Sequence, residues 1–311
     1  MATKKKRASG GGPSSMKRFQ SAESQRRYAR QAREAGKKIG FVPTMGAFHK
    51  GHLSLIRKAR RQNDMVVVSI FVNPLQFGPD EDFDRYPRDL ARDLDLAREA
   101  GIDAAFIPEP SELYPPAFSS KVTVGPLSER MCGAKRPGHF DGVCTVVLKL
   151  LGIVQPHRVY LGEKDAQQLV VLQRMVADLN VDVKVVSCPT VREKDGLAMS
   201  SRNAYLSPEH REQAGRLYEA LRMAQREILM GQMRDPAKLE SRMRGLITEE
   251  SEIEIEYIEM VDPETLEPRP VLVGRVLIAL AASLGETRLI DNITVNVPGG
   301  RMAEGFGSAA K

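Results

Sequence analysis

Between residues 39 and 189 of this 311-residue chain, short runs that are apolar at nearly every position alternate with helical stretches. The runs are 39–43, "MVVVSIFV" (65–72), "AAFIP" (104–108), "RVYLG" (158–162) and "VDVKVVSCP" (181–189). A strand that is apolar on both faces must be covered on both, and helix-spaced strands of that kind form parallel sheets. The intervening segments 21–36, 51–62, 88–100, 142–154 and 165–179 carry helical patterns, several closed by glycine. The expected fold is a doubly wound, Rossmann-like α/β domain.

The pattern changes after Val191. An Arg-rich stretch (208–250) reads as two helices, "IEIEYIEMVD" (253–262) alternates with period 2, and "VLIALAAS" (276–283) and "TRLIDNITV" (287–295) follow. This predicts a smaller C-terminal α+β domain with an antiparallel sheet. The expected organisation is a basic, disordered tail (1–16), a nucleotide-binding domain (17–191), a lid domain (192–297) hinged at 191–196, and a flexible Gly/Ala-rich tail (298–311).

A net charge of +6 hints at nucleic acid, but residues 1–18 hold six basic side chains and no acid, which is the entire excess of 46 over 40. The remainder is neutral, so no nucleic-acid partner is expected. No apolar run approaches the ~20 residues of a membrane span, and no apolar segment follows the basic start as in a secretory signal. Cys132, Cys144 and Cys188 are scattered, which predicts neither disulfide nor zinc and a cytoplasmic setting.

Two motifs carry chemistry. "PTMGAFHKGH" follows the first strand run of the alternation, where ligands of open α/β sheets bind. A helix starting near Gly51 would aim free N–H groups at an anion, and His49 and His52 share its first turn. They could donate to phosphoryl oxygens, cap the helix or pack in the core; a metal pair lacks a third ligand nearby. The second motif, "VREKDGLAMSSRNAYLS" (191–207), places Ser200, Ser201 and Arg202 on a polar loop suited to closing over phosphates.

The ordered pair HxGH and MSSRN resembles the signatures of the nucleotidylyltransferase superfamily. With "VPTMGAFHKGHLSLI", "VSIFVNPLQFGP", "RPGHFDGV" and "VYLGEKDAQQL", the chain is similar over roughly residues 20–297 to the pantoate–β-alanine ligase family. That resemblance implies ATP-dependent joining of pantoate and β-alanine through a pantoyl adenylate, with Mg2+ and a homodimer. It implies that His49, His52, Lys164 and Arg202 are catalytic. It implies an ATP site of Met45, Gly51, Gly162, Lys164, Asp165, Val191, Met199, Ser200, Ser201 and Arg202. Gln76 and Gln168 would bind pantoate, with Asn73 and Arg136 beside them; His139 would be near that pocket or structural. The family often shows adjacent acids after "YPR"; here Arg92 precedes Asp93, leaving Asp93 as the metal candidate.

Overall fold

The computed structural model describes residues 16–298. The predicted basic tail, apart from Met16, and the predicted C-terminal tail, apart from Pro298, lie outside the described residues.

In chain order the first half runs β1 (Lys17–Phe19), α1 (Ala22–Glu34), β2 (Ile39–Thr44), α2 (Lys50–Gln62), β3 (Met65–Ile70), α3 (Leu90–Glu99) and β4 (Ala104–Phe106). Two short helices, α4 (Pro110–Leu113) and α5 (Met131–Lys135), precede α6 (His139–Val154), β5 (Arg158–Gly162), α7 (Ala166–Asp178) and β6 (Lys184–Cys188). The second half is α8 (Pro208–Ala214), α9 (Arg216–Leu229), α10 (Pro236–Thr248), β7 (Ile253–Val261), β8 (Gly274–Leu284) and β9 (Thr287–Val297).

The first sheet is parallel in the order β1-β4-β3-β2-β5-β6. Alternate residues feed opposite layers. Ile39, Phe41, Val67, Phe106 and Val159 join one buried cluster with residues of α1, α6 and α7. Val42, Val66, Val68, Ala105 and Tyr160 join another with residues of α2 and α3. This is the doubly wound architecture that the apolar runs predict.

One detail of register positions the site. β2 pairs with β3 as far as Thr44↔Ile70, but its ladder with β5 ends at Phe41↔Val159. The strand order also reverses here, so the sheet opens at its carboxyl end at the topological switch point.

The second sheet is antiparallel, β7-β8-β9, with α9 and α10 on one face. The other face presents Val261, Leu277 and Ala279 to Met131, Leu127, Ala166 and Val170 of the first half. β8 is therefore buried on both sides, which explains its continuous apolar run.

The structure changes several expectations. β1 had no legible pattern, because three residues at a sheet edge leave no period. α6 begins at His139 rather than 142, entered through Gly138 at φ 81°. Residues 208–250 form three helices, since Gly215 interrupts the first. Residues 191–196 are held by specific contacts. Met199 N–H donates to Val191 O, and Arg192 forms a bidentate pair with Asp291 of β9 at 2.6 and 2.9 Å. The guanidinium also lies 3.8 Å from the centroid of the Tyr218 ring. This segment is thus fastened to the second sheet. Among the described residues no helix is long and apolar enough to cross a membrane.

Asp291 is buried and its carboxylate is paired with Arg192. Arg192→Ala is expected to cost about 3 kcal/mol, the scale for stranding a buried ion. Adding Asp291→Asn should recover part of that loss in denaturant unfolding; equal stability of wild type and Arg192→Ala would contradict the assignment.

Candidate active site

A cavity of about 290 Å3 occupies the opening beyond β2 and β5, roofed by residues of the second half. Met45, His49, Gly51, His52, Asn73, Gln76, Arg136, His139, Gly162, Lys164, Asp165, Gln168, Val191, Met199, Ser200, Ser201 and Arg202 all line it. Every residue predicted from sequence to meet nucleotide or pantoate is thus at one place, although they are spread over more than 150 positions of chain. Asp93 alone is not in that wall.

The HxGH turn is a reciprocal helix cap. His49 is the N-cap of α2, and its Nδ1 accepts the Gly51 N–H at 3.1 Å. His52 Nδ1 faces the His49 N–H at 3.4 Å. These bonds satisfy backbone donors that a helix start leaves orphaned. They also fix the tautomer: a neutral ring that accepts at Nδ1 carries its proton on Nε2. Burial first, then Lys164, lowers the His49 pKa to about 4. Burial, then His49 and Lys164, lowers that of His52 to about 3. At neutral pH the motif presents two uncharged Nε2–H donors, on rings whose centroids are 4.2 Å apart. Gly51 is required by the same geometry. A Cβ there would stand 2.7 Å from His49 Cε1 and 2.8 Å from Nδ1.

Asp93 supports this turn from behind. Gly46 has φ 90° and Ala47 φ 53°, the left-handed region that an alanine occupies only under constraint. The Asp93 carboxylate, 1% exposed, accepts the N–H groups of Ala47 at 2.8 Å and Phe48 at 2.7 Å. Burial raises its pKa above the usual carboxylate range, with the two N–H bonds and Arg92 opposing. Both oxygens serve the backbone, which corrects the metal prediction: Asp93 is a brace of the turn. Among the described residues no three His, Cys, Asp or Glu side chains cluster to hold a metal. The side chains therefore do not fit a protein-built Mg2+ cage.

Gln76 sits in a built cradle. Its Oε1 accepts from Asn73 Nδ2 at 3.0 Å, and its Nε2 lies 3.3 Å from Met45 Sδ. Asn73 is buried and committed: it also donates to Gly142 O and accepts from Leu75 N–H and Tyr114 Oη. Arg136 donates to Gln76 O at 3.1 Å while holding Glu81, and His139 Nδ1 donates to the same carbonyl at 2.8 Å. His139 Nε2 faces Arg136 Nη1 at 3.1 Å. Burial, then Arg136, lowers the His139 pKa to about 4. Arg136, His139 and Asn73 thus line the cavity and also hold Gln76 in place, with His139 in the structural role that the sequence left open. Gln168 also lines the cavity, half-buried. Tyr114 stands far from the motifs, and Glu81, two residues beyond the NPLQFGP block, belongs to no pattern, so both were missed.

Elsewhere in the lining, Lys164 Nζ lies 3.5 Å from Asp165 Oδ1, and Asn292 of β9 donates to the carbonyls of Glu163 and Lys164. Ser200 Oγ accepts the Arg202 N–H, and Ser201 Oγ is 3.0 Å from Tyr86 Oη. Arg202 is held by Asp82 at 2.9 and 2.6 Å.

Residues 17–294 match the family model described as pantoate-beta-alanine ligase. The chain belongs to the pantoate–β-alanine ligase family. It is therefore an enzyme, a ligase of pantothenate biosynthesis. Pantothenate synthetases from Thermotoga petrophila and Caldicellulosiruptor saccharolyticus are 54% and 56% identical to it, spanning 89% and 86% of this chain and 99% and 95% of theirs. The crystal structure of pantothenate synthetase from Thermus thermophilus matches with TM-score 0.84 at 48% identity, covering 89% of this chain and 99% of that one. The Francisella tularensis pantoate-beta-alanine ligase, "complexed with Beta-gamma ATP and Beta-alanine", matches with TM-score 0.75 at 35% identity, covering 90% and 97%.

Two outcomes are expected. Gly51→Ala forces His49 off its cap and should lower kcat about 10²-fold, the scale for losing an oriented donor, with a loss of stability of about 1 kcal/mol, the scale of a lost helix cap; unchanged kcat would contradict the steric argument. Both imidazole pKa values fall from the ordinary 6.5, so the unfolded chain binds protons that the folded one refuses. Their contribution to stability is complete above about pH 6.5 and declines as pH falls toward 4. His49→Gln/His52→Gln should flatten that slope in unfolding titrations; an unaltered slope would contradict it.

Proposed function

We propose that this enzyme condenses pantoate with β-alanine in two steps through a pantoyl adenylate. A pantoate carboxylate oxygen attacks the α-phosphorus of ATP, the bond to the β-phosphate breaks, and pyrophosphate leaves. The β-alanine amine then attacks the acyl carbon, the bond to AMP breaks, and the amine proton passes to solvent. The observation that carries this reading is the cavity itself. Two neutral Nε2–H donors, Lys164, the Ser200–Arg202 loop and the two amides Gln76 and Gln168 all line it.

The electrostatics agree with the chemistry. A carboxylate is already ionised at pH 7, so the first step needs no general base. It needs donors aimed at oxygens that gain charge in the transition state. Imidazoles with pKa values near 4 and 3 are poor bases and uncharged, and they suit that role. Glutamine amides donate and accept at once, which suits a hydroxy acid. Gly162, Asp165, Val191 and Met199 line the same cavity and complete the nucleotide site of this reading. The ATP and β-alanine named for the Francisella relative support the assignment of ligands. Mg2+ enters as the counter-ion of ATP. The reading includes a homodimer and a cytoplasmic setting; cysteines that are all free and buried suit a reducing compartment.

The test is pyrophosphate release from ATP and Mg2+. The proposal predicts pantoate-dependent, stoichiometric release without β-alanine, becoming catalytic with AMP formation when β-alanine is added. Release that ignores pantoate would overturn it. His49→Ala and His52→Ala should each lower turnover on the order of 10²–10³-fold; near-normal rates in both would remove the histidines from the mechanism.

A further inference from the structure

Among the described residues the cavity wall includes the cations Arg136, Lys164, Arg202 and Arg288. Each arginine is already gripped through two nitrogens by one carboxylate: Arg136 by Glu81, Arg202 by Asp82 and Arg288 by Glu256. Two of these pairs have a local task. Arg136–Glu81 supports the Gln76 carbonyl, and Arg288–Glu256 ties β9 to β7 within one sheet. The third is different. Asp82 belongs to the segment between Gln76 and α3, whereas Arg202 belongs to the loop that leads into the second half. The two segments are laced together around this pair, by Tyr86 Oη with Ser201 Oγ at 3.0 Å and Tyr205 Oη to Arg85 O at 3.0 Å, and Arg85 also pairs with Glu286 of the β8–β9 turn at 2.7 Å.

The geometry points to Asp82 as an internal stand-in for a phosphate: it holds the Arg202 guanidinium until the β- and γ-phosphates of ATP displace it. A planar guanidinium fork accepts a carboxylate or a phosphate in the same two-point geometry, so the exchange keeps its hydrogen bonds. Burial pushes the Asp82 carboxyl up, but the Arg202 hydrogen bonds and charge outweigh it and hold the group below its ordinary range, ionised at neutral pH. An ionised Asp82 left beside a bound triphosphate would repel it, so the carboxylate must leave as the phosphates arrive. The device discriminates between nucleotides. ATP has the oxyanions to replace Asp82, and AMP, whose one phosphate belongs at the histidines, does not. This inference rests on the ATP-dependent reading above.

The test uses the full chain with Asp82→Asn and Asp82→Glu, measuring Kd for ATP and for AMP by calorimetry at fixed ionic strength. Asp82→Asn should tighten ATP binding roughly 2- to 5-fold, the scale of a partly exposed ion pair, and leave AMP unchanged. Asp82→Glu should stay near wild type, and Asp82→Asn should add nothing in an Arg202→Ala background. Weaker or unchanged ATP binding by Asp82→Asn would overturn the proposal, as would equal tightening of ATP and AMP. If Asp82→Asn does not fold, Asp82→Ser is read by the same criteria. Wild type that binds no ATP would overturn the nucleotide reading as well, whereas normal wild-type binding with an unresponsive Asp82→Asn overturns the exchange alone.

Discussion

The reciprocal cap at the start of α2 is the constraint on which the site depends. His49 Nδ1 takes the Gly51 N–H, and His52 Nδ1 takes the His49 N–H. A need common to helix starts, satisfying free donors, is met here by two imidazoles in place of hydroxyls or carboxylates. The substitution has a chemical consequence. Each ring must keep its proton on Nε2, and burial keeps both rings neutral. Folding the helix and preparing the donors are one event. The glycine between them follows from the same contact, because a side chain at Gly51 would collide with the His49 ring.

Around that cap, polar groups hold other polar groups in place. Asp93 fixes a left-handed turn through two backbone N–H groups. Asn73, Arg136 and His139 converge on Gln76, and Asn292 reaches from the second sheet to the carbonyls of the Glu163–Lys164 turn. Buried polar groups need this arrangement, since leaving one unpaired costs about 1–3 kcal/mol. It also keeps charge low: the three wall arginines are each balanced by a carboxylate before any ligand enters.

The strand runs of the first sheet were legible because a strand covered on both faces is apolar at every residue. The histidines, the Gln76 turn and the serine loop were legible because each is a compact local motif. Three kinds of feature were not. β1 is too short to show a period. Asp93 looked like a ligand because sequence shows a carboxylate's chemistry but not the N–H groups that consume it. The groups that hold the site residues, from Glu81, Asp82 and Tyr114 to Glu256, are assembled by tertiary contact between segments separated by up to 120 residues, as Asp82 and Arg202 are. The contacts of the 191–196 segment were hidden for a related reason. A polar loop reads as mobile until its arginine is seen bound to a buried aspartate.

The most direct measurement is nitrogen NMR of the protein labelled with 15N-histidine, recorded from pH 5 to 8. The account predicts that His49 and His52 show neutral rings throughout, each with a protonated Nε2 and an unprotonated Nδ1. An imidazolium at pH 7, or a proton on Nδ1 of either ring, would contradict the reciprocal cap and the role built on it.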